Sequence, residues 1–134
     1  MTTLPAYVDA IIPGLKQGVD MMVPLVLELE EGETDTSVLT LDATDKALMH
    51  LRKTLRQEAP DYVFSTDAGN IVIKPETNSI ELYFTDTASK TFKIDSETGL
   101  IYLFGTLLVE DAAGNSRPCS GVDLRFDIEP SFTR

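Results

Sequence analysis

Apolar and polar residues take turns along most of this chain. In "DMMVPLVLELE", residues 20 to 30, Met21, Val23, Leu25, Leu27 and Leu29 fall on one side, and Glu28 and Glu30 on the other. Two is the side-chain period of a strand, so the run predicts a strand with one wet face. Pro24 has no N–H to give a ladder, which puts this strand at an edge or bulges it there. "SIELYFTD" repeats the pattern, with Ile80, Leu82 and Phe84 inward and Glu81, Tyr83 and Thr85 outward. "GVDLRFDIEP" sets Val122, Leu124, Phe126 and Ile128 against Asp123, Arg125, Asp127 and Glu129. Two further short strands are expected in "YVDAIIP", 7 to 13, and "DYVFST", 61 to 66.

Turn-forming residues separate these runs. "IVIKPETNSIELYF" reads as a hairpin reversing between Lys74 and Ser79, where Pro75 and Asn78 favour a turn. "GLIYLFGTLLVEDAAGNSRP" predicts a long strand over about 100–109, then a turn at Asp111 to Gly114. The strand at 121–129 returns antiparallel to it. Both sides of the 100–109 strand are apolar: Ile101, Leu103, Leu107 and Val109 on one, Tyr102, Phe104 and Leu108 on the other. Such a strand is expected to lie centrally and to be covered on both faces. "ELEEGETDT" reads as a solvated acidic hairpin tip. Many short strands with turns between them make an all-β sandwich or barrel.

"TDKALMHLRKTLRQEAP", residues 44 to 60, fits two periods. Ala47, Leu48, Leu51 and Leu55 recur at helical spacing among good helix formers, with Thr44 or Asp45 as a cap. Ala47, Met49 and Leu51 also alternate with Lys46, His50 and Arg52, as in a strand. Propensity alone favours helix. The strand assignment, over about 46–53 and followed by an irregular "TLRQEAP" loop with room for a helical turn, rests on a resemblance given below.

The 134 residues suffice for one domain spanning 1–134, with 43% apolar and 25% charged residues as in a soluble globular fold. A net charge of −11 repels phosphate backbones and argues against nucleic acid as a partner. Cys119 is the only cysteine, so no internal disulfide forms, and a small buried filler is expected over a reactive thiol. "MTTLPAYVDAI" shows no basic leader, and the apolar run "MMVPLVL" is far short of the ~20 residues of a membrane span. The expectation is synthesis in the cytoplasm, in soluble form and away from membranes.

Candidate chemistry is sparse. His50 is the only histidine and is expected on a polar strand face, a surface residue rather than a general base. Asp42 with Asp45, or Asp111 with Asn115, would suit a cation, but the spacing of an EF-hand loop is missing and solvated loops are the simpler reading. The sequence holds no G-x-S-x-G, no phosphate-cradling G-x-x-x-x-G-K and no tryptophan to stack a sugar. Enzyme activity and a cofactor are therefore not expected. Two apolar features are candidate interfaces. Residues 1–18 form an arm or edge strand in which Leu4, Tyr7, Ile11, Ile12 and Leu15 either cover a sheet edge of this chain or add a strand to a neighbour. Residues 130–134 form a tail in which Phe132 either tucks back or anchors in a partner.

Four pieces, in order, resemble one family. "LKQGVDMMVPLVLELEEG" has a Gln-Gly before a long alternating strand, and "LTLDATDKALMHLRK" has a Leu-Thr turn before a strand ending in Arg-Lys. "GLIYLFGTLLVEDAAGNSRPCSGVDLRFDIEP" has a Tyr-containing strand, an Asp/Ala/Gly turn and a last strand, and "IEPSFTR" has a Pro-x-x-Thr-Arg close. Together they resemble the small immunoglobulin-like β-sandwich domains of long-tailed bacteriophages, which occur at the N-terminus of baseplate upper proteins and as collar or ring proteins. The likeness spans most of residues 7 to 134. It departs at "ALMHL", where the family strand carries β-branched or polar residues, and at Ala43 or Asp45, where its turn has Gly. The resemblance implies an immunoglobulin-like antiparallel sandwich with an N-terminal extension. It implies a structural virion subunit of tail, baseplate, neck or collar, associated with itself in a ring and with other phage structural proteins, and supporting fibre attachment. Two other classes remain open: a host-surface or carbohydrate-binding adhesin using loop residues such as Tyr62 or Asn70, and a small enzyme or an acidic regulator of a basic host protein.

Overall fold

The computed structural model of the chain describes residues 2–5, 10–28, 32, 34, 41–53, 58–90, 92, 99–117 and 120–130. Nine strands run through them: β1 (Thr2–Pro5), β2 (Ala10–Lys16), β3 (Met21–Glu28), β4 (Lys46–Leu51), β5 (Tyr62–Ser65), β6 (Ile71–Lys74), β7 (Ser79–Phe84), β8 (Ile101–Glu110) and β9 (Val122–Glu129). One short helix, α1 (Asp86–Ser89), follows β7. The strands form a four-stranded sheet of order β1-β3-β7-β6 and a five-stranded sheet of order β2-β9-β8-β4-β5. The fold is all-β and sandwich-like: one hydrophobic core draws inward-facing residues from both sheets, Val23, Leu25 and Ile80 from one and Met49, Leu103 and Phe126 from the other.

The N-terminal segment serves both sheets. β1 pairs parallel with β3, and β2 pairs parallel with β9. The strand expected at 7–13 thus lies at 10–16, with a register shift between Ile12 and Leu15. Within residues 44–60 the helix-or-strand ambiguity resolves as strand over Lys46–Leu51. Ala47, Met49 and Leu51 are buried while Lys46 and Leu48 are exposed. β4 pairs with β5 on one side and β8 on the other, so two ladders outweigh a helix preference of tenths of a kcal/mol per residue. Residues 54–57, in the loop with the expected helical turn, lie outside the described residues, as do Cys119 and most of the expected acidic hairpin tip.

Pro24 refines the edge expectation. β3 is flanked by β1 and β7, so it is not an edge along its full length. Leu27 donates its N–H to the Asn78 carbonyl, which turns the odd-numbered backbone groups of β3 toward β7 and the even-numbered ones away. β1 begins to pair only at Leu25. Among the described residues, the missing N–H of Pro24 therefore faces a stretch where β3 has no ladder, an edge four residues long.

The hairpin at 71–84 forms as expected. Pro75 opens a single 3-10 turn through Thr77, and Asn78 closes it in the left-handed region at φ 50°. Tyr62, Phe64, Phe84, Phe92 and Phe126 then meet as a cluster of stacked and edge-to-face rings, with centroids 4.9 to 6.2 Å apart. A buried glutamine ties the β2–β3 turn to the segment after α1. Gln17 Nε2 donates to the carbonyls of Ser89, Lys90 and Phe92 at 2.9, 3.2 and 3.3 Å, and the Gly18 N–H donates to Ser89 Oγ at 2.8 Å. The Gln-Gly of "LKQG" is thus an internal clasp, with Gly18 at φ 83° making the turn.

Candidate functional site

β8 is central, between β9 and β4, as its two apolar sides predict. The expectation that both sides are covered is corrected. Ile101, Leu103, Leu107 and Val109 are buried, but on the other side Phe104 is 38% and Leu108 49% exposed. No second layer lies over that outer face among the described residues, and neighbouring strands extend the apolar surface. Ile11 on β2 is 53% exposed, Leu48 on β4 is 38% and Val63 on β5 is 37%. Exposed apolar residues scattered singly are ordinary, whereas a group sharing one sheet face marks a contact surface.

Register places these side chains in rows. One row runs Ile11, Arg125 and Phe104 across three strands to Arg52, which bridges Phe104 just past the end of β4. Another runs Leu108, Leu48 and Ser65. Between them lie two pairs, Asp123 with Thr106 and His50 with Val63. The β4–β8 ladder is interrupted between the Leu48–Leu108 and Arg52–Phe104 pairs, and an open groove of about 720 Å³ lies over the interruption. Met49, Gly105 and Leu124 contribute to its floor. Gly105 permits the close approach there, since a Cβ at this position would stand 2.8 Å from Leu51 Cδ2 and 2.9 Å from the His50 carbonyl oxygen.

The polar groups of this face are held by one another. The Arg125 guanidinium binds Asp127 through two bonds, Nε to Oδ1 at 2.8 Å and Nη2 to Oδ2 at 3.0 Å, and its centre sits 5.3 Å above the Tyr102 ring. The Asp127 bonds favour its charged form still further. Thr106 donates its hydroxyl to Asp123 at 2.5 Å. Lys46 stands beside Glu110 at one end of the sheet and Lys16 beside Glu129 at the other.

The candidate cation ligands have other partners. Asp45, its side chain fully buried, accepts Arg117 Nε and Nη2 on Oδ1 at 3.0 and 2.8 Å, and the Asp42 N–H on Oδ2 at 2.8 Å. Asp42 Oδ1 accepts the Thr44 N–H and hydroxyl, and these bonds hold its carboxyl below the usual range. Asp111 Oδ1 accepts the N–H groups of Asn115 and Ala113, with the same effect. Among the described residues, no three histidine, cysteine or acidic side chains gather as a metal cluster.

The predicted interface residues separate. Ile11 faces outward on the apolar face. Ile12 and Leu15 are buried in the chain's own core and so offer no surface to a neighbour. Leu4 lies on β1, paired with Leu27, its side chain beyond description, and Tyr7 and Phe132 lie outside the described residues. His50 points to the outer face, half-buried at the groove. Of the two residues suggested as adhesin loop residues, Tyr62 lies on β5 and Asn70 in the β5–β6 turn, and both serve the fold. The Tyr62 ring stacks on Phe84, and Asn70 bonds Ser65 and Val63 across the β5–β6 turn. Leu48, Phe104 and Leu108 were not singled out as surface, although the doubly apolar 100–109 run and the outward leucine of "ALMHL" carried that signal. No family model and no curated protein matches the sequence.

Proposed function

We propose that this chain is a non-enzymatic structural subunit of a tailed-bacteriophage virion, an immunoglobulin-like block placed at the neck, collar, tail or baseplate. It would associate with copies of itself and with other phage structural proteins, and serve as an adaptor for fibres. The observation that carries the reading is strand order. Lettered along the chain from β3 as strand B, the sheets run B-E-D and G-F-C-C′, an order that supports an immunoglobulin-like reading. β1 and β2 then stand for a divided first strand. β1 departs from the pattern by running parallel to β3. The order is independent of the four sequence pieces that resemble the phage domains, and both favour one fold.

The surface supports a role in contact. Its organised part is an uncovered sheet face whose exposed apolar residues surround the Arg125–Asp127 ion pair, which suits another protein surface better than a small reactive substrate. The test is peptide mass spectrometry of purified particles of the phage that encodes the chain, with immunogold labelling to locate it. Stoichiometric presence at the neck, tail or baseplate is expected. A chain found only in lysate and missing from particles would remove the reading. Saturable glycan binding lost on substituting end-loop residues would replace it with the adhesin alternative.

A further inference from the structure

We propose that the outer face of the five-stranded sheet pairs with the same face of a second copy of this chain, around Phe104, Leu108, Leu48 and Ile11. This deepens the structural-subunit reading by naming the surface and the partner. Three observations select a second copy. The first is charge. The chain carries −11, yet the strands of this sheet set Lys16, Lys46 and Arg125 against Glu110, Asp123, Asp127 and Glu129, with Arg52 adjoining, which balances to zero. Two identical acidic molecules repel as they approach, and a contact costs least where the local charge is balanced.

The second is the arrangement of those charges. A two-fold contact needs a patch complementary to itself. Here each end of the apolar surface carries a lysine beside a glutamate, Lys46 with Glu110 and Lys16 with Glu129. The pairs lie diagonally, one on β4 and β8 and the other on β2 and β9, so a copy turned about an axis running obliquely across the strands lays one Lys–Glu pair over the other, with the exposed apolar residues between them. The third is size. Five strands at ~4.8 Å spacing and about eight residues at ~3.3 Å give a face of roughly 600 Å². Two such faces bury about 1,200 Å², the lower bound of specific protein interfaces.

Sedimentation velocity of the full chain across micromolar concentrations tests the pairing. The wild type is expected to sediment at twice the 14.7 kDa chain mass, or an even multiple of it. Phe104→Glu and Leu108→Lys, each replacing an exposed apolar side chain by a charged one at the centre of the face, should weaken association at least tenfold, and together give monomer. Met22→Glu, at an exposed site on the other sheet, should leave the mass unchanged. Circular dichroism and thermal midpoints check that each variant folds. If Phe104→Glu unfolds, the more exposed Leu108→Lys asks the same question.

A wild-type chain that is monomeric throughout overturns the pairing, even if it is present in virions. An oligomer unchanged by both substitutions also overturns it and leaves the subunit reading standing with another contact. A chain that is monomeric alone, but captures a different phage protein through Phe104 and Leu108, overturns it and names that protein as the occupant. Pairing in solution by a chain missing from particles would instead sink the virion reading and keep this one.

Discussion

Asp45 has no exposed side-chain surface, and three N–H donors compensate the cost of burying its charge: two from Arg117 and one from the Asp42 backbone. A buried carboxylate is most costly when a single partner is removed. Arg117→Met is therefore expected to lower the thermal midpoint more than Asp45→Asn/Arg117→Met does, and a double-mutant cycle measures that coupling. The pKa shifts of Asp42 and Asp111 set a pH dependence. Each folded-state carboxyl is depressed, so its stabilisation is present above the ordinary carboxylate pKa of about 4 and is lost as pH falls through the lower folded value. Denaturant midpoints should thus fall on acidification from pH 7 toward 3. Asp42→Asn/Asp111→Asn should lower the midpoint at pH 7 and flatten the slope; an unchanged slope would refute the assignment. Sequence pointed to Asp42 with Asp45, or Asp111 with Asn115, as candidate cation ligands but not to Arg117, which folding brings to Asp45 across 72 positions.

Periodicity was most legible at the scale of elements, because burial of one face imposes it. β3, β7, β8 and β9 lie where alternation put them, each within two residues of the expected bounds. The 44–60 stretch carried two periods, and only the ladders to β5 and β8 decide between them, which a local window does not contain. Gly105 shows the same limit. It reads as a gap in an apolar run, yet it faces inward against Leu51 and the β4 backbone. Gly105→Ala should cost about 1–3 kcal/mol by overpacking, measured by urea denaturation. A neutral result would mean β4 does not press on β8 there. The Gln17 clasp was legible only as "Gln-Gly". Gln17→Met, similar in shape, removes the donor shared by three carbonyls and should cost about 1–3 kcal/mol on the same measurement.

Among the described residues, the strands carry six acidic residues, Glu28, Glu81, Glu110, Asp123, Asp127 and Glu129, and the connections carry nine. Negative charge in the connections opposes end-to-end approach and leaves the sheet faces more open to contact. Composition gave the sign of the charge and not this distribution, which needs the strand bounds. The N-terminal arm was legible as edge material, but a one-dimensional pattern does not show that β1 and β2 serve different sheets. On the proposed virion reading, such blocks would enter the particle as two-fold pairs joined through the outer face. Cryo-electron microscopy of the intact phage tests that most directly. The account predicts symmetric density at the neck, tail or baseplate into which copies of the two sheets fit, outer face against outer face; density at all of those positions that excludes this fold would contradict it.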